Sequence, residues 1–207
     1  MANKPLPTIG VDKYTFAKLQ EDTTDGAVYG QSYFLKGTVQ ISPTDNGGED
    51  TFDADNGAYD VESYLETLGH EIEAADITSE VDALWRGIEK KNGAVIVGSV
   101  PSNPYFGVAW RVLKSDGTYR YIKYFKGKYS FASNVGGKTK PSKGASDKQT
   151  AKASFTAVRR DYDSNYYVYI DQEDVEELIK TNKLDSLEKF EEVFFGKMGY
   201  IPGDNVI

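Results

Sequence analysis

Apolar residues recur at every second position along much of the chain, the spacing of strands with one covered face. Short alternating or aromatic runs occupy residues 9–19 and 34–43, punctuated by Gly26, Gly30 and Gly37. Residues 58–73 alternate most clearly. Tyr59, Val61 and Leu65 fall on one side and Asp60, Glu62 and Glu66 on the other, so this strand is predicted to have one greasy and one acidic face. Asn56-Gly57 just ahead of it is a turn signal with extended chain on either side. The apolar run Ala94–Val97 reads as a buried strand. Tyr105–Lys114 and Thr118–Phe131 read as the arms of a long hairpin turning at Ser115-Asp116-Gly117. Ala151–Arg160 and Asn165–Ile170 supply two further strands.

The helical period appears only in short stretches. Thr78 can cap a helix with Glu80 and Asp82 in its first turn and Val81, Leu84, Trp85 and Ile88 as its apolar stripe. Near the C-terminus Val175, Leu178 and Ile179 mark one amphipathic helix. Asp185 with Glu188 forms a capping-box pattern for a second, whose stripe is Leu187, Phe190 and Phe194. The expected fold is therefore mainly β: a β-sandwich or split β-barrel with one short flanking helix, about residues 78–88, and a helical C-terminal tail. Residues 1–170 form the β domain, including long loops at 44–57 and 134–150, and residues 171–207 form a helical extension docked on it.

Composition narrows the chemistry. The 207 residues include no cysteine and one histidine, His70. That excludes disulfides, thiolate metal sites and a cysteine nucleophile, and any triad would have to use His70. No G-x-S-x-G turn supplies a serine for it, so His70 reads as a packed or surface residue of a strand. The stretch 49–62 invites a calcium-loop register from Thr51, with Asp53, Asp55 and Glu62 at positions three, five and twelve. Thr51 and Asn56 stand where that loop wants aspartate and glycine, and its flanks are strands. Asp161–Asn165 fails as a second partial match. Nothing singles out two carboxylates for glycoside hydrolysis, and no glycine-rich loop opens a helix. The expectation is a non-enzyme with no cofactor and no metal. The leading residues MANKPLPTIG lack an apolar leader core and no run reaches membrane-span length, so a soluble protein made without Sec-type export and without a membrane partner is expected.

Charge is segregated. Residues 1–110 carry 18 acids and 7 bases, residues 111–160 carry 2 acids and 13 bases, and residues 171–207 carry 10 acids and 4 bases. Solvated sheet faces suffice to explain such polarity in most proteins; two sharper readings are nucleic-acid binding and the meeting of one copy's acidic surface with another's basic surface. The run Thr118–Phe131 interleaves Arg120, Lys123, Lys126 and Lys128 with aromatic residues, as single-strand binders do, but a strand with aromatics on the core and lysines outside is the favoured reading, because a small β domain needs such aromatics.

The order of landmarks resembles the major tail proteins of long, non-contractile bacteriophage tails and their prophage relatives. The landmarks are DADNGAY (Asp53–Tyr59), the acidic strand running into a short helix (60–88) and the aromatic hairpin (104–131). GKTK (Gly137–Lys140), QTAKASFTA (Gln149–Ala157) and FEEVF (Phe190–Phe194) follow, and together they span roughly residues 5–195. The two-helix tail and the lysine-rich extension at 138–148 depart from the family pattern. The resemblance implies a self-assembling virion protein whose hexameric rings stack into a tube, built in the host cytoplasm. DNA would pass through the lumen without specific binding, and the tape measure, tail terminator and distal tail proteins would be partners. The tube protein of a contractile tail, or of a tail-derived bacteriocin or secretion device, is the alternative within this class. A carbohydrate-binding module and a single-stranded nucleic-acid binder are the alternatives outside it.

Within that reading two groups of residues stand out. If Val61 and Leu65 face the core, Asp60, Glu62 and Glu66 face outward and are candidates for the lumen wall, where acids repel phosphates. The 44–57 loop (Asp45, Glu49, Asp50, Asp53, Asp55) and the 138–148 loop (Lys138, Lys140, Lys143, Lys148) are candidates for the joints between rings.

Overall fold

The computed structural model describes residues 5–54, 56–98, 102–130, 137–140 and 148–204. The chain is mainly β. Among the described residues nine strands form one antiparallel sheet: β1 (Thr8–Thr23), β2 (Gly26–Phe34), β3 (Thr38–Pro43), β4 (Asn46–Ala54), β5 (Gly57–Ala74), β6 (Phe106–Lys114), β7 (Tyr119–Ser130), β8 (Ala151–Ala157) and β9 (Tyr167–Asp171). Their order across the sheet is β2-β1-β6-β7-β8-β5-β3, with β4 also on β5 and β9 also on β7. Three helices accompany them among the described residues: α1 (Ser79–Arg86), α2 (Gln172–Lys180) and α3 (Leu187–Gly196).

The sheet curls. Strands β1 and β5 are separated by β6, β7 and β8 in the ladder, yet the Tyr14 hydroxyl on β1 lies 2.8 Å from His70 Nε2 on β5 and 3.0 Å from the Tyr129 hydroxyl on β7. The Leu35 N–H, just past β2, donates to the Tyr14 carbonyl at 2.8 Å and extends the β1–β2 ladder by one rung before the chain crosses to β3. The curl encloses an aromatic core of Tyr14, Phe16, Trp85, Trp110, Tyr129 and Phe155. Trp85 of α1 closes it, stacked on Tyr129 with ring centroids 3.9 Å apart. Helix α1 is placed by its own signals: the Thr78 side chain accepts from the Val81 N–H, and Gly87 takes a left-handed φ of 65° at the C-cap. Strands β7 and β8 approach so closely that a Cβ on Gly127 would fall on the Phe155 ring.

The outer face of β1, β6 and β7 is covered as well. Val175, Phe190, Val193 and Phe194 of α2 and α3 pack on Ala17, Ala109 and Tyr121. Glu191 ties α3 down by accepting from Lys13, Arg111 and the Tyr121 hydroxyl. Burial pulls the Glu191 carboxyl upward, but the bonds from Lys13 and Tyr121 and the Arg111 charge hold it below the usual range. No linker separates these helices from the sheet, because β9 ends at Asp171 and α2 starts at Gln172. The α3 cap is Ser186, whose side chain accepts from the Lys189 N–H, one residue beyond the Asp185–Glu188 pair.

Three expectations change. Residues 46–54 are strand β4, not an open loop; too few apolar residues flag them, and their order comes from pairing with β5 across the Asn56-Gly57 turn. Ala94–Val97 is not a sheet strand. It holds only a Lys91–Ala94 bridge, and Ile96 and Val97 are 59% and 57% exposed, because Gly93 and Gly98 cut the run too short to find a partner. Lys123 does not face solvent but is fully buried.

Candidate assembly surfaces

Strand β5 is long enough to do two things. Its second part, Leu68–Ala74, is paired on one side by β8, with β3 pairing His70–Ala74 on the other. Its first part, Gly57–Thr67, pairs with β4 alone among the described residues. A two-stranded ribbon therefore projects beyond the sheet by roughly 35 Å, at ~3.3 Å per residue. Both its edges offer unpaired backbone groups, the usual template for another chain.

The ribbon is an unusual surface. Asp50 stands directly opposite Glu62, and Phe52 opposite Asp60. Like charges across a ladder repel, so the ribbon is weakened by its own sequence. Phe52, Tyr59 and Val61 are 65%, 74% and 50% exposed, and the Phe52 and Tyr59 rings touch edge to face at 6.4 Å. The expected core contact of Val61 is not made: Val61 is half exposed, and Asp60 and Glu62 on either side of it are exposed too. The outward orientation of Asp60 and Glu62 is therefore not set by a core behind them.

The other candidate joint sits at the opposite end of β5. Ala74 pairs with Ala151, the first residue of β8. Just before it, Gln149 holds Lys138: the Lys138 N–H donates to Gln149 Oε1 at 2.8 Å, and Gln149 Nε2 donates to the Lys138 carbonyl at 3.2 Å. Lys138, Lys140 and Lys148 are exposed at this end. Asp45, Glu49, Asp50, Asp60 and Glu62 are exposed at or on the ribbon. Asp55 and Lys143 lie outside the described residues, as do the side chains of Asp53 and Glu66. From Glu62 to Ala74 the strand runs on the order of 40 Å. One copy does not bring the two charge sets together.

Among the buried ionisable groups, His70 lies in one of the two places the sequence left open, and Lys123 is buried against the expectation. His70 is fully enclosed by Tyr14, Trp110, Tyr124 and Phe155, and burial pushes its pKa down to about 3. It is neutral at ordinary pH and packs as a ring. Lys123 donates to the carbonyls of Lys197 and Tyr200, each at 3.0 Å, and lies 4.1 Å from the centre of the Phe194 ring. Burial first, and then the Arg160 charge, lowers its pKa. Its work is to hold the segment after α3 against β7. The aromatic pair flanking the Asn56-Gly57 turn, amid acids, was the one available signal that the ribbon tip exposes apolar surface.

Among the described residues no group of three or more His, Asp or Glu side chains converges as a metal site. No helix there is long and apolar enough to cross a membrane. No protein-family model matches the chain, and no curated protein matches its sequence.

Proposed function

We propose that the protein is a structural subunit that self-assembles into stacked rings and forms the tail tube of a long non-contractile bacteriophage tail. The observation that carries this reading is the separation of an acidic, aromatic-tipped ribbon and a lysine-bearing connection to opposite ends of strand β5. Such a pair is useless within one copy and complementary between copies placed head to tail. Contacts of that heterologous kind close into rings or continue as filaments according to the rotation between copies, and a tube uses both. The curled sheet is then a split barrel whose edges, β2 on one side and β3 with the ribbon on the other, join neighbours. Individual exposed ion pairs contribute ~0–1 kcal/mol each, so charge sets register while strand and apolar contacts set affinity. An acid-rich ribbon beside the bore would also let a duplex slide without sticking.

Electron microscopy of the purified chain, alone and with partner tail proteins, tests the reading. Rings or tubes of uniform bore are expected. A strict monomer at every concentration and salt overturns it.

A further inference from the structure

We propose that the aromatic tip of the β4–β5 ribbon of one copy docks in the groove between α1 and the end of β2 in a second copy. This rests on the tube reading above and names the receiving surface for it. The groove measures about 750 Å³. Phe16 and Leu35 form its floor, and Tyr33, Val81, Leu84 and Ile88 its walls. Tyr33 is 42% exposed although it stacks on Phe16, so an apolar surface beside a helix is left uncovered.

Its position decides the occupant. Asp76 and Thr78 on its rim follow directly on Ala74, the last residue of β5. Lys36, also on the rim, precedes Gly37, whose carbonyl accepts the Ala75 N–H at 2.7 Å. The groove therefore lies where β5 finishes and the ribbon where β5 starts. The strand itself holds them apart within a chain, whereas a head-to-tail stack brings them together. The tip offers what the groove lacks: two exposed aromatic rings and Val61, with ~150–250 Å² of surface on each ring to bury.

Charge gives the approach its polarity. The ribbon carries Glu49, Asp50, Asp60 and Glu62, and Lys138, Lys140 and Lys148 lie at the groove's end of the sheet. The rim itself is mixed, with Lys36 and Lys90 against Asp76, Glu80 and Glu89. Apolar contact thus fixes the seat, and the lysines steer the acidic ribbon toward that end.

The chain has no cysteine, so introduced ones report contacts cleanly. A Tyr59→Cys variant is mixed with a Val81→Cys variant under mild oxidation, at concentrations where the wild-type chain assembles. A disulfide linking positions 59 and 81 is expected, at least tenfold more abundant than either variant's homodimer. In parallel, a Phe52→Ser/Tyr59→Ser double variant, altered only at exposed side chains, is expected to raise the Kd of assembly at least tenfold with an unchanged melt. Tubes that form from the mixed cysteine variants without the 59–81 link, or a double variant that assembles at wild-type concentration, overturn the docking proposal and leave the tube reading standing. A Val81→Cys thiol already shielded in the dilute monomer shows that the chain's own residues fill the groove, and overturns it too. A wild-type chain that never self-associates overturns the tube reading and the docking with it.

Discussion

The two parts of strand β5 are built to opposite rules. Leu68, His70, Ile72 and Ala74 are buried in the curl of the sheet, and β8 pairs this length throughout, with β3 on its other side from His70 onward. A few residues earlier Tyr59, Asp60, Val61 and Glu62 are all exposed, with one neighbour strand and a like charge opposite Glu62. The same covalent strand is a core element and then a projecting surface. The ribbon part buries little against the rest of the chain and leaves Tyr59 and Val61 in water, a composition that the proposed assembly would account for.

Shortening the ribbon separates the two parts most sharply. Removing residues 51–53 and 58–61 keeps the Asn56-Gly57 turn and the opposition of Asp50 and Glu62. Assembly is expected to be lost completely in electron microscopy while calorimetry shows a cooperative melt within a few degrees of wild type; normal tubes would erase the distinction. Single substitutions draw the same contrast in stability. Trp85→Ala, which empties the plug on Tyr129, is expected to cost about 3–5 kcal/mol in denaturant titration. Tyr59→Ala at the ribbon tip is expected to change stability by less than ~0.5 kcal/mol. Equal losses at the two sites would mean that the tip is part of the core.

The buried part also has a pH signature that the ribbon lacks. The His70 pKa lies near 3 in the folded chain and near 6.5 when exposed, so the unfolded state takes up a proton first as pH falls. Its contribution to stability is complete above pH 6.5 and declines as pH drops toward 3. Between pH 6.5 and 5, above the range where carboxylates titrate, the expected loss is about 2 kcal/mol. Denaturant titrations of wild type and His70→Phe across this window check it, and a variant as pH-sensitive as wild type would remove His70 from the account. The smallest expected effect is local. Glu62→Lys places an opposite charge across from Asp50 and should strengthen the ribbon by ~0.2–1 kcal/mol. Slower amide exchange at residues 50–62, with none at 68–74, is the expected reading.

Legibility followed the same divide. The alternation in 106–130, the Thr78 cap and the stripe ending at Phe194 were readable because each is a short-range pattern with its own turn or cap signal. Strand β4 was not, since Thr51 and Phe52 sit among acids and glycines and acquire strand geometry only by pairing with β5. Lys123 was misread for a related reason. Strand periodicity says which side chains share a face, but not that a second layer, the segment after α3, will roof the outer one.

By itself the sequence determined that this is a β-rich chain without cysteine chemistry, with its charges sorted into blocks and a turn at Asn56-Gly57 between two extended arms. Local propensity and composition suffice for that, because they depend only on neighbours along the chain. Tertiary structure alone decided that the sheet curls until Tyr14 meets His70, that both faces of β1, β6 and β7 are covered, and that the acidic ribbon and the lysines stand at opposite ends of β5. Those outcomes depend on which strands pair and in what register, and the free energy that selects them comes from contacts between residues far apart in sequence.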